Sequence, residues 1–487
     1  MMIARISQHL QRIKARGADY VDARYYPADE LEYYSCVQGN LKSTHYTRTT
    51  GIGVRVLCQG AWGFAASSTL DDLEGVFDRA FDNARVAAQR VTFPACLADA
   101  APVRGQYESP CRVDPFSVPL ADKVAFLKGI DAALNQPHVA QRFARMTFMK
   151  RAMAFLDSDG TQIEKTIREV FAGMTVIGVE RNGLSQERSY TLSGTGRGTR
   201  GWESLQDEQA FAAHAPRICE ELARVLEAEP CPRDTRAVIL LPGIMYLQTH
   251  EVIGHALELD RILGYELSYA GGSFVRLEDF GALRYGSEKL TVRADGTLPN
   301  SPGSFGFDDD GTPCQDTVLI EKGILKSAIT SRHTIVEANR KANRPLFTRP
   351  GGCARASGFN RIPLERMTNI NIDPGSDGTL ADIIAGTARG IVLDGTRSWS
   401  IGSNREQFHF ACEIGWLVED GRMTNVVKNP TYGGATLPFW NALSAVGSEA
   451  TRKLQYVPNC GKGLPSQTME LGHLVPVCKF DNVAIGT

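Results

Sequence analysis

Two histidines flank a glutamate in the segment HEVIGH, which contains His250, Glu251 and His255. The nitrogens of imidazole side chains bind Zn²⁺ well, and a glutamate beside such a ligand can act as a general base toward water. Zinc hydrolases commonly carry the motif HExxH, in which the two histidines stand one helical turn apart. The segment therefore predicts a zinc hydrolase site in which His250 and His255 bind the metal and Glu251 is the catalytic base.

The spacing between these histidines is one residue longer than in HExxH. On an ideal α-helix, residues i and i+5 are roughly 140° apart around the axis, so both rings could not face one metal ion. A single-turn π-bulge absorbs one extra residue, and such bulges occur often at functional sites. Gly254, directly before His255, would give the backbone the freedom that this distortion needs. The alternative interpretation is that two unrelated histidines lie on a buried helix.

A zinc hydrolase site needs a third protein ligand and an open position for water. The C-terminal part offers Cys460 in the glycine-flanked turn PNCGKG and His473 in the segment GHL, and the residues alone leave both open. Cys460 could instead be a small buried side chain, and His473 a partly exposed strand residue. Glu258 and Asp260 follow the motif closely enough to accept a hydrogen bond from a ligand imidazole. Their alternative is a solvated turn at the end of a helix.

The elements that would position these residues follow from the periodicity of the apolar side chains. The apolar run at residues 237–241 predicts a strand that leads directly into the motif helix. Beyond residue 263 the chain is rich in glycine, with short strand and turn signals that are typical of a barrel or sandwich. Before residue 231, helix and strand signals alternate, and one helix is predicted over about residues 207–226.

These patterns predict an α+β fold in which two helix-and-sheet units precede a barrel-like domain. The N-terminal α/β region would combine helices with mostly antiparallel sheets, and the C-terminal all-β domain would carry the metal-binding helix. The predicted boundaries are an α+β unit at 1–92, a proline-rich and alanine-rich linker at 93–115, a second α+β unit at 116–230 and the β-rich domain at 231–487.

The composition indicates a soluble globular protein, since 43% of the 487 residues are hydrophobic and 22% are charged. The net charge of −2 argues against nucleic acid or an anionic membrane as the main partner. We expect neither a signal peptide nor a membrane-spanning segment, because no apolar stretch has the length or the flanks. The 11 cysteines include no CxxC pair, which favours free thiols in a reducing cytoplasm over a disulfide framework.

Beyond the motif itself, the chain resembles the TldD branch of the TldD/TldE (PmbA) metalloprotease family over nearly its whole length. The resemblance is carried by HEVIGHALELD at 250–260, SFGFDDDGTP at 304–313, LIEKGILK at 319–326 and NCGKG at 459–463. The combination of HExxxH with a distal cysteine followed by Gly-Lys is specific. It implies that His250, His255 and Cys460 bind zinc and that Glu251 is the catalytic glutamate. Because the TldE branch lacks the HExxxH motif, it also implies an active subunit.

The resemblance implies a fold with an N-terminal α/β part and a C-terminal barrel-like part, joined into dimers around a central cavity. It implies hydrolysis of small or unfolded peptides and, in some members, trimming of leader peptides from modified precursors. The expected partner is a second copy of this chain or a TldE-like subunit. The segment at residues 399–405 departs from the glycine-rich stretch of the best-known TldD proteins, which indicates a divergent subgroup.

Two other classes of function stay open on the sequence. The chain could be a non-catalytic scaffold or regulatory subunit with structural zinc, although Glu251 would then serve no purpose as a base. It could also be a zinc amidase that acts on a small metabolite. A peptide would add to an exposed strand edge beside the metal, whereas a metabolite needs a closed pocket.

Overall fold

The computed structural model describes residues 2–206 and 211–487. Within these residues the α-helices are Met2–Ala15 (α1), Leu73–Ala88 (α2), Leu120–Ala133 (α3), Ala215–Leu226 (α4), Pro242–Thr249 (α5), Leu259–Leu263 (α6), Arg332–Ala342 (α7), Leu380–Ala385 (α8) and Thr436–Asn441 (α9). The strands of the first half are Tyr20–Val37 (β1), Asn40–Cys58 (β2), Ala61–Ser67 (β3), Arg104–Glu108 (β4), Gln141–Asp157 (β5), Gln162–Val179 (β6), Ser185–Thr191 (β7), Ser193–Gly194 (β8) and Glu229–Pro230 (β9).

The strands of the second half are shorter and more numerous. They are Asp234–Leu240 (β10), Val292–Asp295 (β11), Asp316–Glu321 (β12), Ile324–Leu325 (β13), Ala354–Arg355 (β14), Leu364–Glu365 (β15), Asn369–Ile372 (β16), Arg389–Ile401 (β17), Gln407–Glu419 (β18), Arg422–Lys428 (β19), Thr431–Ala435 (β20), Leu443–Val446 (β21), Lys453–Lys462 (β22), Gln467–Val475 (β23) and Cys478–Ile485 (β24).

One sheet contains the long strands of the first half. Its order is β3-β2-β1-β5-β6-β4, and β7 pairs with the C-terminal part of β6. β4 runs parallel to β6, and the other pairs are antiparallel. Ile6 and Leu10 of α1 recur at helical spacing and bury, together with Phe77 of α2, against this sheet. α3 and α4 contribute to a second core on the same sheet.

This sheet runs across the predicted boundaries at 1–92, 93–115 and 116–230, which stay predictions. β4 lies inside the segment predicted as a linker, and β1 and β5 pair across that segment. A sheet edge tolerates a short strand in a proline-rich segment, because only one of its sides must pair. The helix predicted over 207–226 is observed as α4 from residue 215, while residues 207–210 lie outside the described part of the chain.

The second half contains a closed barrel of five strands. The order β17-β10-β24-β20-β18 closes because β18 also pairs with β17. The β10–β17 pair is parallel, and the remaining barrel pairs are antiparallel. The predicted α+β fold with a C-terminal barrel-like domain is therefore confirmed.

Two smaller sheets lie beside the motif, since α5 contacts β22 and β23 and the segment at β16 lies against Gly254. β22 pairs with β23 and also with β8 from the first half of the chain, so this hairpin links the two halves. β11, β12, β13 and β16 form the other sheet, and β16 packs on β23. Across residues 2–206 and 211–487, every helix is too short or too polar to cross a membrane.

Candidate metal centre

The HEVIGH segment continues α5 but changes its winding. α5 ends at Thr249, residues His250–Gly254 form a π-helical turn, and His255–Leu257 form a 3-10 turn. The backbone N–H of His255 donates to the carbonyl of His250, which is the i to i+5 bond of a π-helix. The turn absorbs the extra residue and brings the two imidazole rings to a centroid separation of 4.7 Å.

Gly254 fits this turn because the neighbouring chain leaves no room for a side chain. A Cβ atom at this position would lie 2.1 Å from the sulfur of Met367 and 3.4 Å from Ile370. The φ angle of Gly254 is −55°, an ordinary helical value. The close approach of the Met367 side chain therefore favours a glycine here, and the backbone freedom predicted for it is not used.

The structure brings His250, His255 and Cys460 together. A nitrogen of each ring and the cysteine sulfur lie within 4.8 Å of one another, and all three residues are buried. Nε2 of His255 is 3.5 Å from Sγ of Cys460. Tetrahedral zinc, with Zn–N bonds of about 2.0 Å and Zn–S bonds of about 2.3 Å, places such a pair of atoms about 3.5 Å apart. The group fits zinc by donor type and by spacing.

Cys460 reaches this group from β22, at a point where the pairing with β23 shifts between Val457 and Cys460. A bulge of this kind changes the direction in which a strand residue points. Burial alone would raise the pKa of the Cys460 thiol, but His255 and Arg366 lower it, and the net pKa is below the ordinary value. The net shift is toward the thiolate, the form of cysteine that binds metals, relative to a free cysteine.

His473 lies behind His250 and does not join the group of three. Nδ1 of His250 is 2.8 Å from Nε2 of His473, whose own Nδ1 is 3.0 Å from the carbonyl oxygen of Ile370. A carbonyl only accepts, so we assign the proton of His473 to Nδ1, and its Nε2 then accepts the Nδ1 proton of His250. Burial lowers the pKa of both rings and keeps them neutral. Nε2 of His250 is left without a proton and suits a metal.

Glu258 supports the other motif histidine. Its Oε2 accepts a hydrogen bond from Nδ1 of His255 at 2.9 Å and from Nε of Arg261 at 2.7 Å. The ammonium nitrogen of Lys462 is 3.2 Å from the same oxygen. Burial alone would raise the pKa of Glu258, but Lys462, His255 and Arg261 hold it well below its usual range. Glu258 is therefore a buried carboxylate that fixes the Nδ1 proton of His255.

Asp260 lies one contact further from the rings. Its Oδ1 accepts from Nζ of Lys462 at 2.7 Å, and its backbone N–H donates to Glu365 at 2.8 Å. Of the two acidic residues predicted to accept from a ligand imidazole, Glu258 makes that contact, and Asp260 makes none with either ring in the described chain. The sequence predictions contain neither Lys462 nor Arg261, although Lys462 belongs to the NCGKG motif.

Glu251 follows His250 directly, and its carboxylate is free. Only 8% of the residue is exposed, and within the described ranges the carboxylate has no hydrogen bond or ion pair. A buried carboxylate without a partner is costly unless it meets a proton, water or a ligand. The arrangement therefore suits a group that exchanges a proton with a molecule entering the site.

Two cavities lie beside β22, and the described lining of neither includes the three grouped residues, although Asn459, directly before Cys460, lines the smaller one. The smaller one, of about 340 Å³, is lined by residues 456–459 of β22 and by strands of the first sheet. The larger one, of about 700 Å³, is lined by Lys453 of the same strand. Tyr246 lines both cavities, so they adjoin, and it stands one helical turn before His250. The two cavities together border β22 from its start to the residue before Cys460.

Three family models match successive parts of the chain. They describe PmbA/TldA metallopeptidase domain 1 over residues 29–84, the central domain over 113–228 and the C-terminal domain over 233–486. A metalloprotease of Methanocaldococcus jannaschii is 27% identical over 453 residues, which cover 92% of this chain and 94% of that protein. A metalloprotease TldD homolog of Haemophilus influenzae is 25% identical over 478 residues, covering 97% of this chain and 93% of its own.

A protein of Saccharolobus solfataricus named as a zinc metalloprotease TldD homolog is 26% identical over 254 residues, covering 51% of each chain. Among solved structures, TldE from Thermococcus kodakarensis matches with a TM-score of 0.70 at 15% identity, over 99% of this chain and 100% of that chain. A Thermotoga maritima protein described as a putative modulator of a DNA gyrase matches with a TM-score of 0.74 at 15% identity, over the same shares. At this identity the structural likeness concerns the fold alone.

Proposed function

We propose that this chain, which belongs to the PmbA/TldD metallopeptidase family, is a zinc-dependent peptidase. The predicted resemblance to that family is confirmed. The observation that carries the proposal is the buried group of His250, His255 and Cys460 with the free carboxylate of Glu251 beside it. A scaffold with purely structural zinc would have no use for an unpaired carboxylate at that position.

His250, His255 and Cys460 would hold the zinc ion through two Nε2 atoms and one sulfur. When bound, zinc would polarise the peptide carbonyl and lower the pKa of water beside it. His473 and Glu258 keep the two rings in the tautomer that presents Nε2, so the ligands are ordered before the metal arrives. A thiolate donates more negative charge than a third imidazole would, which leaves more of the proton removal to a base.

Glu251 is the group that we assign to proton transfer. Its carboxylate would accept a proton from the attacking water while the oxygen forms a bond to the peptide carbonyl carbon. The same carboxyl group would then donate this proton to the leaving amine as the C–N bond breaks. The absence of an ion pair or hydrogen bond at Glu251 within the described ranges supports this role, because its carboxylate oxygens are not already engaged by another side chain.

The proposed substrates are small or unfolded peptides in an extended conformation. β8 pairs with β22 only at Leu454 and Gln455, so residues 456–459 have no strand partner on that side within the described chain. An extended peptide can add to such an edge through main-chain hydrogen bonds. A folded domain cannot enter a cavity of about 340 Å³. The strand edge and the length of the two cavities favour a peptide over a compact metabolite, which is the rival zinc amidase substrate.

We propose that the working assembly is a dimer, with a second copy of this chain or with a TldE-like subunit. The whole-length likeness to the TldE fold supports such a pairing, because similar folds can form similar interfaces. The mass of the purified protein in solution, alone and mixed with a TldE-like chain, would measure this. A monomer that cleaves peptides at full rate under both conditions would contradict the proposal.

The test of the peptidase proposal combines zinc content with turnover on an unstructured peptide. The purified protein should carry about one zinc per chain, and Cys460→Ala should lose most of it. Glu251→Gln should keep the zinc and lose roughly 10²–10⁴-fold in turnover. Cys96→Ala is the matched control, since Cys96 is exposed and should affect neither quantity. Full zinc in Cys460→Ala, or near-normal turnover in Glu251→Gln, would contradict the proposal.

A further inference from the structure

A lysine without a carboxylate partner faces the larger cavity beside β22. Lys453 lines this cavity, is half-buried, and makes no ion pair or hydrogen bond within residues 2–206 and 211–487. The other charged groups of the lining are paired, since Arg217 contacts Glu221 at 2.9 Å and Asp394 contacts Arg188 at 3.1 Å. A partly buried ammonium group is costly unless an anion joins it. Within the described residues, Lys453 is therefore the charged group of this lining that has no direct ion-pair partner and is available to a ligand.

We propose that this cavity binds a carboxylate of the peptide substrate, with Lys453 as its ion-pair partner, and that the protein thereby prefers acidic peptides. The inference rests on the proposed peptidase function and names a substrate class for it. The rest of the lining suits the remainder of a peptide, because Leu380 and Val477 are apolar and Trp399, 54% exposed, offers a flat surface.

The strand that carries Lys453 also fixes how far this carboxylate lies from the bond that is cut. β22 runs from Lys453, past the smaller cavity, to Cys460 at the proposed zinc site. Seven residues of strand cover about 20 Å, allowing for the bulge before Cys460. An extended peptide beside β22 covers that distance with about six residues. The preferred carboxylate should therefore lie about six residues from the cleaved bond.

The test uses unstructured peptides of about twelve residues, each with one glutamate placed at a different position, and a matched set with glutamine. Binding is measured on zinc-loaded Glu251→Gln, with and without Lys453→Gln, and cleavage is measured on the original chain. Glutamate at the favoured position should tighten binding about tenfold, and Lys453→Gln should remove that gain while glutamine peptides bind as before. Lys453→Glu should transfer the preference to a peptide with lysine at that position.

The control variant is Lys128→Gln, because Lys128 is exposed on α3 and lies outside both cavities. Zinc content and the melting temperature of each variant show that the fold is intact. Peptides with a free or an amidated C-terminus distinguish the two sources of the carboxylate. A gain that disappears on amidation assigns the cavity to the chain terminus, and a gain that follows the glutamate assigns it to an acidic side chain.

The proposal and the peptidase function fail in different ways. Cleavage with equal affinity for glutamate and glutamine peptides and no loss of affinity on amidation, or an unchanged preference in Lys453→Gln, would overturn the carboxylate site and leave the peptidase function standing. Binding of acidic peptides that depends on Lys453, without cleavage of any peptide by the original chain, would support the site and overturn the peptidase function.

Discussion

The two motif histidines are held by different chemistry. Behind His250 stands His473, a neutral ring that passes its hydrogen bond on to a backbone carbonyl. Behind His255 stands Glu258, a buried carboxylate that is held in turn by Lys462 and an arginine. Both supports fix a proton on Nδ1 of their histidine and leave Nε2 for a metal. Only the support behind His255 brings buried charge into the core.

Because only one support is charged, His473 and Glu258 should contribute differently to the stability of the fold. Breaking the hydrogen bond between His250 and His473 leaves one N–H group unsatisfied, which costs about 1–3 kcal/mol. Breaking the charged support leaves an uncompensated buried charge, which costs about 3–5 kcal/mol. The stability of the fold should therefore depend mainly on the His255 side, while the affinity for zinc should depend on both sides.

The largest expected effect comes from removing the cation of the charged support. Lys462→Met takes away the ammonium that lies 2.7 Å from Asp260 and 3.2 Å from Glu258. Two buried carboxylates would then lack their shared cation, so the free energy of unfolding should fall by about 3–5 kcal/mol. Urea unfolding measures this, with Lys128→Met on the exposed face of α3 as the control. A loss below about 1 kcal/mol would remove the distinction between the two supports.

A smaller effect, on the affinity for zinc, is expected from removing His473 behind His250. His473→Ala should weaken zinc binding by about 10–100-fold, because His250 loses the partner that fixes its tautomer. His473→Gln keeps a side-chain oxygen that can accept from Nδ1 of His250, so it should recover part of the affinity. Competition with a zinc chelator measures this, and exposed His45→Ala is the control. Equal zinc affinity in His473→Ala and the original chain would show that the tautomer of His250 does not depend on His473.

The grouping of His250 with His255 could be predicted from the spacing of HEVIGH, whereas Cys460 as the third member came from the resemblance to the family and stood beside His473 as an alternative. The barrel could be predicted as a class, since glycine-rich turns and short strand signals occur together beyond residue 263. The role of His473 could not be predicted from the sequence, because its contact with His250 joins positions 223 residues apart. Lys462 was visible within NCGKG, but its carboxylate partners depend on the approach of β22 to α6.

The reason for Gly254 also could not be predicted, and a substitution tests it. Gly254→Ala places a Cβ against the flexible side chain of Met367, which can move, so the loss of stability should be about 1 kcal/mol. Both rings depend on this turn, so zinc affinity should fall although neither support has changed. Gly129→Ala in α3 is the matched control, because its added Cβ meets no atom within 4 Å. An unchanged affinity for zinc would show that the turn tolerates the displacement.

The smallest expected effect is a change in the pH dependence of the free energy of unfolding, caused by Glu365 on the His255 side of the site. Burial raises the pKa of Glu365 from its ordinary value of 4.5 to about 8. The folded state therefore binds a proton that the unfolded chain releases, so the stability from Glu365 is present below pH 4.5 and is lost as the pH rises through about 8.

Glu365→Gln imitates the protonated form and can still accept from the backbone N–H of Asp260. Its stability should match the original within about 1 kcal/mol at pH 5 and exceed it at pH 9. Denaturant unfolding at both pH values measures this, with exposed Glu321→Gln as the control, and an identical pH slope in Glu365→Gln and the original chain would show that Glu365 is charged at neutral pH.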